Sequence, residues 1–164
     1  MVTLERVSLA NLDRFKRIRL RALQDSPKAF GSTYAREVRF TDAEWRARVE
    51  RWNGERGIGY LAIDGERECG IAGGLADEED STHADLVSMW TDPAHRQAGV
   101  GRLLVEAVIE WARLRGVLTL RLMVTSTNDA AAAFYQRLGF AMTGRTEPYA
   151  NDPDMVEREM ARSI

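Results

Sequence analysis

The run Arg96-Gln97-Ala98-Gly99-Val100-Gly101 lies between an apolar stretch, Ala84 to Thr91, and a strongly periodic one, Gly99 to Arg115. A strand that turns through glycines into an amphipathic helix and then reaches another apolar run builds a parallel crossover, which restricts the chain to α/β sheets. Val100, Leu104, Ala107, Val108, Trp111 and Leu114 make one apolar stripe on that helix, and Gly116 closes it. Val117 to Val124 follows as a strand rich in β-branched and long apolar residues. Because Gly99 and Gly101 carry no Cβ, a ligand can approach the main chain at the turn. The unpaired amides of the first helical turn and the helix dipole favour a phosphate there. The competing reading is a glycine-containing turn that merely starts a helix. Two nucleotide motifs do not fit: Leu104 stands where the dinucleotide fingerprint needs its third glycine, and no Gly-Lys precedes a Ser or Thr.

The rest of the chain reads as one domain spanning residues 1–164, with no repeat, no low-complexity block and no linker. Val2 to Leu9 alternates like a strand. Leu12, Phe15, Ile18, Ala22 and Leu23 recur at helical spacing until Ser26-Pro27 interrupts them. Thr41, with Glu44 three residues on, predicts a capping box opening a helix whose face is Trp45, Val49 and Trp52 and which stops near Asn53-Gly54. Ile58 to Ile63 and Arg67 to Leu75 read as strands joined at Asp64-Gly65, a hairpin dipeptide, and Asp77 to Asp80 as the acidic connection to the next strand. Asn128 predicts the cap of a short helix that ends at Leu138-Gly139, after which Phe140 to Thr143 and Met155 to Ala161 complete the sheet.

Composition narrows the partners. With 23 Lys and Arg against 25 Asp and Glu, the formal net charge is −2, which argues against a general nucleic-acid or anionic-membrane binder. Cys69 is the single cysteine, so no internal disulfide and no thiolate-built zinc site is available, and a reducing cytoplasm is the expected location. Met1 to Phe15 lacks the apolar core of a signal peptide, and no stretch is long enough to span a bilayer. His83 and His95 stand twelve residues apart without a partner at metal-ligand spacing, so no metal is expected.

Arg-x-x-Gly-x-Gly after the Thr91-Asp92-Pro93 strand end, followed by Asn128-Asp129-Ala130-Ala131-Ala132-Ala133-Phe134-Tyr135 and Gly139-Phe140, resembles the GNAT family of acetyl-CoA-dependent N-acetyltransferases. The resemblance covers Asp85 to Phe140, with the earlier elements agreeing in order. It implies a mixed α/β fold of six to seven strands and four helices, with a central sheet splayed to form a cofactor slot. It also implies that the main chain of Gln97, Ala98, Gly99, Val100 and Gly101 takes the coenzyme A pyrophosphate, while Met89 and Thr91 pair with the pantetheine arm as another strand would. Asn128 would contact that arm near its end, and Tyr135 would sit beside the thioester sulfur. Many members carry Arg or Lys where this chain has Gln97 and Ala98, so Arg102 or Arg137 would have to supply the missing charge. The Arg96 side chain is left with two readings, phosphate binding or packing against the strand end.

Direct attack of an amine on a thioester asks for three things. An amide near Met89 and Trp90 would stabilise the oxyanion if the strand bulges there. Tyr135 would protonate the leaving sulfur, the competing reading being an amphipathic core tyrosine beside Phe134. A carboxylate would take the proton of the ammonium. Asp85, eleven residues before Arg96, is the first candidate by position in the histone-acetylating branch of the family, against the alternative of a solvated strand-start aspartate. Glu37, in the loop between the first two helices, and Glu78 or Glu79, before the central strand, are its rivals, on segments that would wall the acceptor side of the cleft. Trp45, Trp52 and Tyr34 read as core before they read as an acceptor pocket, and Cys69 as a buried hydrophobe. The expected acceptor is the primary amine of a small molecule, or a peptide N-terminus, and a homodimer is compatible with such a domain. A non-catalytic acyl-CoA-binding module is the alternative.

Overall fold

A computed structural model describes residues 1–164, the whole sequence. Seven strands form one sheet in the order β1-β2-β3-β4-β5-β7-β6: β1 (Val2–Arg6), β2 (Gly57–Asp64), β3 (Arg67–Ala76), β4 (His83–Thr91), β5 (Thr119–Thr125), β6 (Ala141–Pro148) and β7 (Val156–Ser163). Five helices cover it: α1 (Leu12–Asp25), α2 (Tyr34–Glu37), α3 (Asp42–Trp52), α4 (Val100–Leu114) and α5 (Asp129–Arg137). The helix beyond the expected four is α2, a single turn where the sequence suggests only a loop. Thr33 caps it by accepting from the Arg36 amide at 3.2 Å.

Local chemistry sets most boundaries. Thr41 and Glu44 close the expected capping box, each side chain holding the other's amide at 3.2 and 2.7 Å. Ser8 ends β1 early, because it caps the turn Leu9–Asn11 that leads into α1. The hairpin between β2 and β3 turns on Gly65 at φ +64°, between the paired residues Asp64 and Arg67. On α4 the buried stripe is Val100, Leu104, Val105, Val108, Ile109 and Ala112, whereas Leu114, expected on that stripe, is 80% exposed. Strands β6 and β7 run further than the sequence suggests, to Pro148 and Ser163.

Two cores hold the layers together. Phe15, Ile18, Trp45, Val49 and Trp52 from α1 and α3 pack on Leu61, Ile71 and Trp90 of one sheet face. The α4 stripe, with Tyr135 of α5, packs on Ala62, Ala72, Leu120, Leu122 and Met160 of the other. Every strand pair is antiparallel except β4 with β5, and those two are in register only over His83–Asp85 and Thr119–Arg121. Beyond Asp85 they part, and the sheet splays into two halves. On the α1 side, the halves are braced by the β6–β7 loop. The Tyr149 hydroxyl donates to the Phe30 carbonyl at 2.5 Å, and the Asn151 amide donates to the carbonyls of Phe30 and Ser32 at 3.0 and 3.2 Å.

Candidate active site

The wall of the splay is shaped by a bulge. Ile71 pairs with Trp90 but Gly73 with Val87, so Ser88 and Met89 together oppose Ala72, and Ser88 takes φ +56°. The Asp92 amide donates to the Cys69 carbonyl at 2.8 Å and the Asp77 amide to the His83 carbonyl at 3.0 Å, which fixes the alternation along the ladder. By that alternation Trp90 addresses β3, while the main chain of Met89 and Thr91 faces the slot. The expectation of an oxyanion donor near Met89 and Trp90 therefore narrows to Met89. The Trp90 indole turns into the α1 core, where its N–H donates to Asp25 at 3.0 Å.

At one mouth of the slot lies the first turn of α4. None of the amides from Gln97 to Arg102 has a protein acceptor, and the turn contains no acidic side chain to compete for them. Gln97 at φ +64° and Gly99 at φ +84° bend the main chain so that these amides converge. Gly99 borders open space. A Cβ at Gly101 would lie 3.0 Å from Phe134 of α5 and 3.1 Å from Met89, so only glycine lets the turn close on the slot without displacing both. A diphosphate fits this cradle: it is made of main chain, it is positive by dipole, and nothing in the protein satisfies it.

Side-chain help is thin. Arg96 takes the second of its two readings: its guanidinium donates to Asp25 at 2.8 Å and to the Thr91 carbonyl at 3.1 Å, packing on the strand end rather than reaching the cradle. Arg102 pairs with Glu106 one turn on at 2.8 Å. Arg137 is exposed and makes no ion pair. Gln97 and Ala98 offer main chain alone.

At the other end of the slot stands Tyr135. Asn128 caps its helix by accepting from the Ala131 amide at 3.2 Å, which leaves the Asn128 side-chain NH2 without a protein partner. The Tyr135 ring meets Phe134 and Phe140 edge-on at 5.2 and 5.8 Å, and burial pushes its phenol far above the ordinary range, so it keeps its proton at neutral pH. It borders a cavity of about 540 Å³ that opens on the α1 side, where no helix covers the face of β5, β7 and β6.

That cavity is ionic, and nearly all its charges are paired. Arg121 of β5 donates to Asp85 and to Asp77, both at 2.9 Å. Asp85 thus lines the cavity with a guanidinium on its carboxylate, and hydrogen bonding from Arg121 holds the Asp77 carboxyl far below the usual range. Glu37 is a correction: it is fully buried away from the cavity, receives both Arg19 nitrogens at 2.9 Å, and accepts from Arg48 at 2.6 Å. Burial would raise its carboxyl, but the Arg19 hydrogen bonds and charge outweigh that and hold it below the ordinary range. A carboxylate so held is a poor base. Arg19 also donates to the Ser88 hydroxyl at 3.1 Å and stacks 4.8 Å from Phe30, so the triad steadies the bulge and the cavity wall. Glu78 and Glu79 lie exposed outside the cavity. His83 and His95 sit 2.8 and 2.9 Å from Asp80 and Asp64.

The remaining acids of the cavity are Glu147, Glu157 and Glu159, none of which the sequence singles out. Arg145 pairs with Glu147 at 2.6 Å and Glu159 at 3.5 Å, while Glu157 has no partner. Burial and then the neighbouring Glu147 charge push the Glu157 carboxyl up. On the sequence Glu157 and Glu159 are alternating acids of one polar strand and Glu147 a lone acid of another, indistinguishable from a solvated face.

Known proteins share this fold. The acetyltransferase (GNAT) family profile matches residues 19–140. The ribosomal protein bS18 alanine N-acetyltransferase of Salmonella typhimurium is 33% identical over 102 residues, covering 59% of this chain and 69% of its own. The Escherichia coli enzyme of that name is 44% identical over 57 residues, but these span only 38% of its length. Its crystal structure superposes with a TM-score of 0.73 at 23% identity, over 100% of this chain and 94% of that one. A GNAT acetyltransferase from Streptococcus pneumoniae reaches 0.84 at 21% identity, covering 100% and 99%. An aminoglycoside 6'-N-acetyltransferase solved with coenzyme A reaches 0.71 at 19%, covering 98% and 96%. The splayed sheet, the bulged wall and the amide cradle are thus found in a chain whose residues 19–140 match the family profile, and the chain belongs to the GNAT acetyltransferase family.

Proposed function

We propose that the protein is an acetyl-CoA-dependent N-acetyltransferase, a single catalytic domain that passes the acetyl group to a primary amine by direct attack with both substrates bound. The observation that carries this reading is the pairing of two features: the amides of Gln97–Arg102 have no protein acceptor, and beyond Met89 and Phe134, which crowd Gly101, Tyr135 borders an acid-walled cavity. Bound there, acetyl-CoA would supply the activated thioester. The residues of the chain do the rest. Gln97 to Arg102 hold the diphosphate, Met89 and Thr91 align the arm along β4, and the Met89 amide faces the developing oxyanion. Tyr135 gives its proton to the departing sulfur.

The acceptor is a small amine or a slender peptide N-terminus, because the cavity beside Tyr135 holds about 540 Å³. The Salmonella relative, named as a ribosomal protein bS18 alanine N-acetyltransferase, makes an alanine-initiated peptide the first peptide to try. No helix is long and apolar enough to cross a membrane, and the single, buried Cys69 accords with a cytoplasmic setting. Thiol release from acetyl-CoA with a panel of amines tests the reading. Tyr135→Phe is expected to lower kcat roughly a hundredfold while coenzyme A binding persists. Binding without turnover on any amine would instead make the protein a coenzyme-binding module.

A further inference from the structure

Every charged group on the cavity wall except Glu157 has a counter-ion within the protein. Arg19 is taken by Glu37, Arg121 by Asp77 and Asp85, and Arg145 by Glu147 and Glu159. Glu157 on β7 accepts no hydrogen bond and joins no ion pair. It stands directly opposite Glu147 in the β6–β7 ladder, with its carboxylate on the cavity that Tyr135 borders. In register on its other side is Thr125 of β5, whose buried hydroxyl also lacks a partner. A lone carboxylate beside a like charge, part-buried in a cleft, is an unfavourable arrangement that a cation would relieve.

We propose that Glu157 receives the ammonium group of the acceptor and takes one of its protons, a role that rests on the acetyltransferase reading. One N–H bond of the ammonium breaks, the proton passes to a Glu157 carboxylate oxygen, and the electron pair stays on nitrogen, free to attack the thioester carbonyl. Glu157 then loses that proton to water through the open mouth of the cavity. Part-burial, and after it the like charge of Glu147 directly across the ladder, suit Glu157 to this exchange, since a carboxylate with a raised proton affinity takes a proton from an ammonium more readily. Asp85 is excluded by its guanidinium partner, and Glu37 by burial in its triad. The acceptor is accordingly a cationic primary amine.

The test separates nucleophiles by charge. Putrescine, tyramine and an alanine-initiated peptide are ammonium ions at neutral pH, whereas hydroxylamine is already neutral and needs no base. Glu157→Gln is expected to lower kcat/KM for the amine that the wild type accepts by roughly a hundredfold or more, and to leave acetyl transfer to hydroxylamine and coenzyme A affinity near wild type. Glu157→Asp should restore part of the loss. Glu147→Gln, which removes the like charge, should move the acid limb of the kcat/KM profile to lower pH. Equal loss toward the alkylamine and hydroxylamine, or no loss toward either, overturns the assignment of Glu157. A wild-type protein that acetylates neither class overturns the transferase reading itself.

Discussion

Glu37 and Glu157 are acids on the same side of the sheet, and their neighbours drive them in opposite directions. Glu37 is fully buried between two guanidinium groups, so removing its charge strands Arg19 in a dry interior. Losing one partner of such a pair costs about 3–5 kcal/mol, against nearly nothing for a surface pair. Glu37→Gln should therefore lower the urea midpoint strongly at neutral pH. The sign of the pH dependence follows from the depressed carboxyl. Its stabilisation is complete above the ordinary carboxylate range and fades as pH falls through the lower folded value. The gap between wild type and variant should close in acid, and a gap that stayed constant with pH would count against the ion pair as its source. Neither role is visible in the sequence. Tyr135 and Gly101 stand out in the sequence because each sits in a short run with a family spacing, whereas Glu37 is defined by Arg19, eighteen residues away, and Glu157 by Glu147 across a strand pair.

Among the elements, α4 carries the clearest consequence, because its first turn is at once a helix start and the cradle proposed for the diphosphate. Gly101 is the point where that turn, Phe134 and Met89 converge. A valine there would push the cradle away from both neighbours and pull its amides off the diphosphate. Two charge-assisted hydrogen bonds are worth about 3–6 kcal/mol together, and partial loss corresponds to roughly a ten- to hundredfold rise in KM for acetyl-CoA. The helical circular dichroism of Gly101→Val should stay as in wild type, and an unchanged KM would remove the first turn of α4 from the coenzyme site. Element starts were readable where side chains cap them, as at Thr41 and Asn128, because the capping chemistry is local. Register was not. The bulge at Ser88–Met89 depends on a mismatch with β3, and the length of β6 depends on pairing with β7 along a strand exposed at nearly every position.

For the molecule as a whole, the decisive fact is how little joins β4 to β5. The two halves share the short parallel register at His83–Asp85, the α4 core beneath it, and the clasp of Tyr149 and Asn151 above. Between them runs a wall of main chain, at Met89 and Thr91, with no strand to pair. A ligand that lies along that wall and anchors at the α4 turn completes the sheet, so binding and stability are linked. At a hundredfold excess over Kd, one site adds about 2.7 kcal/mol, which for a chain of this size amounts to roughly 5–10 °C in melting temperature. Coenzyme A should produce a shift of that order and slow amide exchange at Met89, Thr91 and the first turn of α4. Pantetheine, which lacks the diphosphate, should shift the melting temperature far less at equal concentration, because it can lie along β4 but cannot occupy the cradle. Equal shifts from both would mean that the cradle contributes nothing to binding. A larger shift from NAD or ATP than from coenzyme A would mean that the turn serves a different phosphate ligand.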